Sequence, residues 1–242
     1  MFERSCARME KQTLGVIGGM GPEATAYFYE QVIRHTRASC DQDHLDMVIL
    51  SCASMPDRTA AIEAADHQPI LTCMRSCIER LDACGVGQIA IPCNTSHYFY
   101  DSIQALTTTP IIHMPRETVR VATQDPTVRR VGIMGTDGTV DAGVYAHACE
   151  QAGVTPVNPT PERQADVMSL IYDDVKAGRT PRLDKLERVL AYFEHERCDR
   201  IILACTELSV LNRYRTMPEG TIDALDVLVH ESIVRCGGTY VA

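Results

Sequence analysis

Short, continuously apolar runs rich in β-branched residues alternate along the chain with longer stretches whose apolar positions recur every three or four residues. Leu14-Gly15-Val16-Ile17-Gly18 ends in glycines, and Ala24, Tyr27, Phe28 and Val32 follow at the spacing of one helix face. This predicts a strand, a tight turn and a helix. Further buried strands are expected over 45–52, 89–91, 131–134 and 200–204, with helices near 60–83, 139–152, 162–178 and 183–197. The alternation implies βαβ units and a parallel sheet.

The pattern occurs twice. Leu14-Gly15-Val16-Ile17-Gly18-Gly19-Met20-Gly21 resembles Val131-Gly132-Ile133-Met134-Gly135-Thr136-Asp137-Gly138, 117 residues later. Ile91-Pro92-Cys93-Asn94-Thr95 likewise resembles Leu203-Ala204-Cys205-Thr206-Glu207, 112 residues later. The period is too long for a solenoid and fits two similar Rossmann-like α/β lobes of about 110 residues each. Lobes of this kind face each other across a cleft, with ligands at the carboxyl ends of the strands. Residues 1–12 read as an N-terminal extension, 13–114 as the first lobe and 115–213 as the second.

Composition narrows the classes of function. The 242 residues carry a formal net charge of −9, which argues against nucleic acid or an anionic membrane as partner. No apolar run reaches the roughly 18 residues that span a bilayer, and the first dozen residues lack the apolar core of a signal peptide. A cytoplasmic protein is expected. Eleven cysteines, an odd number in a chain of this size, read mostly as free thiols and not as a disulfide framework.

Two of those cysteines stand apart. Cys93 and Cys205 each end a strand just before polar residues able to start a helix, a location that lowers a thiol pKa. If the two lobes are related by a pseudo-twofold axis, the two thiols approach a ligand from opposite sides. That is the geometry for taking a proton from one face of a carbon and returning one to the other. Cys73 and Cys77 lie four apart on a helical stretch with Cys84 beyond, without C-x-x-C or zinc-finger spacing, and Cys6, Cys40, Cys52, Cys149, Cys198 and Cys236 show no partner. Neither a metal nor a dithiol redox centre is expected.

The turn Gly19-Met20-Gly21-Pro22-Glu23-Ala24 fits the G-x-G-x-x-A dinucleotide fingerprint, but the second strand ends in Ser51-Cys52-Ala53 where that fingerprint wants an acidic residue. The same turn can hold a substrate carboxylate on backbone N–H groups, with Pro22 suited to the first helical position. Gly135-Thr136-Asp137-Gly138-Thr139 is its counterpart in the second lobe. Arg58 follows Met55-Pro56-Asp57, and Lys176 closes a helix before Gly178. Each reads either as a ligand contact or as an ordinary surface cation, through an Asp57 or Glu63 ion pair for Arg58 and the helix dipole for Lys176.

Taken together, Gly19-Met20-Gly21-Pro22-Glu23-Ala24-Thr25, Pro56-Asp57-Arg58-Thr59, Pro92-Cys93-Asn94-Thr95, Gly135-Thr136, Ile171-Tyr172 with Lys176, and Ala204-Cys205-Thr206-Glu207 resemble the aspartate/glutamate racemases over about residues 13–236. The resemblance implies two α/β lobes with the active site between them, a homodimer, and chemistry without PLP or metal. Cys93 and Cys205 would be the acid/base thiols. Met20, Gly21, Asn94, Thr95, Thr136 and Thr206 would surround the α-carboxylate and ammonium, and Arg58 and Lys176 would hold a side-chain carboxylate. The last helix, with residues 214–242, would return to the first lobe. The substrate expected is a small amino acid, aspartate or glutamate before others. Alternatives are a broad-specificity racemase, a maleate isomerase-like relative, and a non-catalytic binder of acidic amino acids.

Overall fold

A computed structural model describes residues 11–242, so Cys6 and most of the expected N-terminal extension lie outside it. The first half runs β1 (Leu14–Gly18), α1 (Pro22–His35), β2 (Met47–Ser51), α2 (Arg58–Glu63), α3 (Gln68–Ala83), β3 (Gln88–Ala90), α4 (Tyr100–Gln104) and α5 (Met114–Ala122). The second half begins β4 (Arg130–Met134), α6 (Asp137–Asp141), α7 (Ala146–Gln151), β5 (Thr155–Val157) and α8 (Pro161–Ser169). A π-type stretch over Leu170–Val175 then leads to α9 (Leu183–His195), β6 (Arg200–Leu203), α10 (Thr206–Val210), β7 (Thr221–Asp223) and α11 (Ala224–Arg235).

The strands form two parallel sheets with matching wiring. The first has the order β2-β1-β3 and the second β5-β4-β6-β7. Each half thus places its first strand between its second and third: Val16 pairs with Ile49 on one side and Ala90 on the other, as Gly132 does with Val157 and Ile201. A single parallel bridge from Ile89 to Ile111 continues the first sheet where β7 continues the second. The repeat in the sequence is therefore a repeat in topology.

β1 is buried at all five positions, as expected for a parallel strand covered on both faces. Leu14 and Val16 pack with Tyr27, Phe28 and Val32 of α1 and Leu225 and Leu228 of α11. Ile17 points the other way, onto the Ile70-Met74-Ile78-Leu81 stripe of α3. In the second half, Leu186, Val189, Leu190 and Phe193 of α9 form the same kind of stripe.

Three expectations need correction. The helix expected over 60–83 is two, parted at Ala65, whose φ of +51° cannot continue a helix. The one over 139–152 is also two, parted at Gly143, with φ +64°. Within the segment expected to return to the first lobe, β7 instead pairs with β6 and extends the second sheet. The crossing begins only at Asp223, which caps α11, and that helix packs on α1 and α5.

Candidate active site

β3 and β6 occupy corresponding places in their sheets, and the chain leaves each of them through a cysteine. Cys93 follows β3 and precedes a short 3₁₀ turn over Thr95–Phe99, while Cys205 caps the N-terminus of α10. Both thiols are buried, each 6% exposed. They line one small cavity together with Met20, Arg58, Asn94, Thr95, Thr136, Lys176 and Thr206. Every site residue expected from the sequence except Gly21 meets there, and Asp57, Thr59, Tyr172 and Glu207 complete the wall. The space open to the centre of a water molecule is only about 10 Å³, enough for roughly one water. Met20, Asp57, Arg58, Lys176 and Glu207 separate it from a vestibule of about 480 Å³, to which Gly21 belongs. These boundary side chains must move apart before anything larger than water reaches the thiols.

Glu207 follows Thr206 in the second cysteine motif, and nothing in the sequence alone gives it a role. It is buried, and its Oε2 accepts hydrogen bonds from the Cys205 thiol at 3.0 Å and the Thr206 hydroxyl at 3.4 Å. Its Oε1 accepts from the Gly21 N–H at 3.2 Å, so it lies at the positive end of the 14-residue helix α1. The glycine turn is consequently occupied from within. Gly19 N–H donates to the Thr25 hydroxyl at 2.8 Å and Gly21 N–H donates to Glu207, so neither is free for the substrate carboxylate expected there. The turn itself needs its glycine: φ at Gly19 is +88°, and a Cβ would lie 2.3 Å from Cys52 N.

The Cys205 pKa also departs from expectation. Burial raises it well above the ordinary thiol value, the Glu207 charge raises it further, and Lys176 opposes both. With only five residues, α10 contributes little dipole to offset a carboxylate at contact distance. Cys205 is therefore held as a thiol.

The two cations divide between the two thiols. Arg58 is buried and donates to the carbonyls of Pro56 at 2.8 Å, Met20 at 3.4 Å and Met55 at 3.5 Å, while its Nε has no partner among the described residues. Burial disfavours its charge, but the facing Cys93 sulfur and then Asp57 outweigh that and raise the guanidinium pKa. The surface ion pair considered for Arg58 is not formed; Asp57 instead caps α2 and accepts from the Tyr172 hydroxyl at 3.3 Å. Lys176 is exposed along much of its length and lays its ammonium 4.1 Å from the centre of the Tyr172 ring. Removal from water disfavours that ammonium, yet Glu207 and Cys205 outweigh the effect and raise its pKa.

Hydroxyls and an amide knit the halves together around the cavity. Thr95 from the first half meets Thr136 at 3.1 Å and Thr139 at 2.9 Å from the second, and those two lie 3.1 Å apart. The Tyr145 hydroxyl donates to Asn94 Oδ1 at 2.5 Å, which fixes the amide and leaves Asn94 Nδ2 without a partner among the described residues. A buried donor with nothing to bond is costly unless a ligand supplies the acceptor. Gly138 closes the same seam: a Cβ there would lie 2.7 Å from Thr59 Oγ1. Behind Cys93, His97 Nδ1 lies 2.9 Å from the Cys93 carbonyl and Nε2 accepts from Met114 N–H at 3.2 Å, so Nδ1 carries the proton.

Comparison with known proteins gives this geometry a context. The chain resembles the broad specificity amino-acid racemase RacX of Bacillus subtilis, with 28% identity over 202 residues, covering 82% of this chain and 86% of that one. Its fold is similar to Picrophilus torridus aspartate racemase, with a TM-score of 0.81, 27% identity, and 95% and 96% of the two chains covered. The fold alone is shared with the Francisella tularensis glutamate racemase solved with D-glutamate, at a TM-score of 0.65 and 15% identity over 91% and 79% of the chains. These relatives are amino-acid racemases, which are isomerases. Residues 17–231 match the Asp/Glu/Hydantoin racemase family, and the chain belongs to it.

Proposed function

We propose that this protein interconverts the L and D enantiomers of aspartate or glutamate without a cofactor, with Cys93 and Cys205 as a thiolate/thiol pair. The observation that carries the reading is that both thiols, one from each half, wall a single cavity with Arg58 and Lys176 beside them. One base alone tends to return a proton to the face it came from, whereas two groups in opposite protonation states complete the inversion.

The surroundings support a starting state for Cys205. Cys205, hydrogen-bonded to Glu207 and raised by burial, starts as the acid. Cys93, across the cavity beside the Arg58 guanidinium, takes the complementary role of base. Cys93 takes the α-proton and becomes a thiol while Cys205 gives its own to the opposite face and becomes a thiolate, and the reverse reaction swaps the two roles. No ring system receives the carbanion's charge, so donors aimed at the α-carboxylate must stabilise the developing enolate. The unpartnered Asn94 amide and Arg58 Nε, with the Thr95 and Thr206 hydroxyls, supply them. Lys176 binds the side-chain carboxylate at the cavity boundary and so selects acidic substrates.

A second reading, a broad substrate range within the same chemistry, draws on the likeness to the Bacillus subtilis enzyme. Incubation with a panel of single amino-acid enantiomers, followed by chiral chromatography, separates the two. Conversion confined to acidic substrates is the expected result. Comparable conversion of alanine or serine favours the broad reading, and no conversion of any amino acid overturns both.

A further inference from the structure

The first lobe holds two thiols that the racemase chemistry does not use. Cys52 lies just past β2 and Cys77 on α3, 25 positions apart in the chain, and their sulfurs are in contact at 3.2 Å. Both backbones are anchored. Cys52 N–H donates to Gly18 O at 2.9 Å beside the Gly19 turn, and Cys77 belongs to the buried face of α3 with Met74, Ile78 and Leu81. A disulfide requires about 2.05 Å between sulfurs, so closure shortens the present contact by roughly one ångström. Access differs between the two: Cys52 is partly exposed and Cys77 is buried. Burial, and then the Cys52 sulfur, push the Cys77 thiol up to about 12, so Cys52 is the sulfur that meets an oxidant first.

We propose that Cys52 and Cys77 form a reversible dithiol–disulfide site, oxidised by small peroxides and opened by thiols. The Cys52 thiolate attacks one oxygen of hydrogen peroxide, the O–O bond breaks, and the departing hydroxide is protonated to water, leaving a sulfenic acid on Cys52. The Cys77 sulfur then attacks the Cys52 sulfur, the S–O bond breaks, and the hydroxyl leaves as water with the Cys77 proton. Overall, two thiols and one peroxide give one disulfide and two waters. Two thiols of a reductant reverse the bond by exchange.

The test is a peptide map of the full chain after stoichiometric hydrogen peroxide, alkylation of remaining thiols, and trypsin without reduction. Ala38–Arg58 linked to Ser76–Arg80 is expected, with fragmentation placing the bond on Cys52 and not Cys40, and with loss of the species in dithiothreitol. Cys73 falls on a separate peptide, Thr59–Arg75, so a bond from Cys52 to Cys73 is recognised by mass and overturns the assignment. Cys73→Ser keeps the link, while Cys77→Ser leaves a dimedone-reactive sulfenic acid on Cys52. Cys52 recovered as a free alkylated thiol in the wild type, while the exposed Cys40 and Cys84 are oxidised, also overturns it. Closure of a preformed pair raises the thermal midpoint by several degrees. A lowered midpoint shows that the bond distorts the fold and refutes a preformed site. Racemisation enters none of these readouts, so this site and the racemase assignment stand or fall separately.

Discussion

Cys205 donates its thiol hydrogen bond to Glu207, two residues along the chain, with sulfur and Oε2 3.0 Å apart inside the protein. The same carboxylate takes the Gly21 N–H from the other half of the chain, so one side chain connects the Cys205 thiol to the turn opposite. Glu207→Gln keeps the shape and removes the charge that raises Cys205. Turnover is expected to fall by roughly 10²-fold. Because the Glu207 charge holds the thiol protonated, the variant's Cys205 thiol pKa is expected to move down. Thiolate absorbance followed against pH, with the wild type as reference, checks this, and an unshifted titration counts against the coupling.

Cys93→Ser and Cys205→Ser are each expected to abolish racemisation while leaving the circular dichroism unchanged, because a hydroxyl of similar size replaces each buried thiol. In D₂O a single-thiol variant can still exchange the α-proton of one enantiomer without inverting it. Proton NMR of L- and D-aspartate distinguishes exchange from inversion. Full interconversion by either variant would eliminate the two-thiol mechanism.

What could be read from the sequence followed from the range over which each signal acts. β1 is a continuous apolar run buried at every position, and β4 and β6 turn apolar after a leading arginine, Arg130 and Arg200, so their residues announce them. β5 and β7 are three residues each, Thr-Pro-Val and Thr-Ile-Asp, too short to carry a period and placed only by pairing with distant partners. The thiol pair was legible because the repeat put one cysteine in the same position of both halves. Glu207 and Tyr145 act through contacts with residues 186 and 51 positions away, and no local spacing reveals such partners. The same holds for Cys52 and Cys77, which no motif joins.

Arg58→Ala and Lys176→Ala are expected to differ. Lys176 stands at the cavity boundary, so its loss raises KM for aspartate and glutamate by roughly 10- to 100-fold, the worth of a charge-assisted hydrogen bond. Neutral amino acids are little affected. Arg58 faces Cys93 and donates toward the α-carboxylate that every amino acid carries, so its loss lowers kcat on acidic and neutral substrates alike. Steady-state kinetics with aspartate and alanine test both; in the Lys176 variant, equal losses on the two substrates would show that Lys176 does not read the side chain.

Tyr145→Phe removes the donor that fixes the Asn94 amide and leaves Asn94 Oδ1 buried without it. A fall in kcat/KM of roughly 5-fold is expected, in line with about 1 kcal/mol for one hydrogen bond. Restoring neither the amide orientation nor activity, Tyr145→Leu is expected to be worse, and a Tyr145→Phe variant with wild-type kinetics would show that Asn94 needs no such anchor.

Acid acts against this fold at His113, with a sign fixed by proton counting. Burial, then His97 and Arg116, lower the His113 pKa to about 3, whereas in the unfolded chain the imidazole titrates near 6.5. Between those values the unfolded chain binds the additional proton, so the His113 contribution is complete above about pH 6.5 and declines as the pH falls, by up to about 1.4 kcal/mol per unit. Asp223 works in the opposite sense, since burial and Asp226 raise its carboxyl to about 7 and the folded form keeps a proton that the unfolded form has lost. The wild-type profile alone therefore mixes the two. The His113→Asn variant separates them, because asparagine can still accept the Arg116 N–H that His113 Nδ1 accepts at the start of α5 and does not titrate. Thermal midpoints of the two proteins at pH 7.5, 6 and 5 are expected to converge as the pH falls, as the wild type loses the His113 contribution that the variant never had. A constant difference across that range would show that His113 takes up its proton equally in both states.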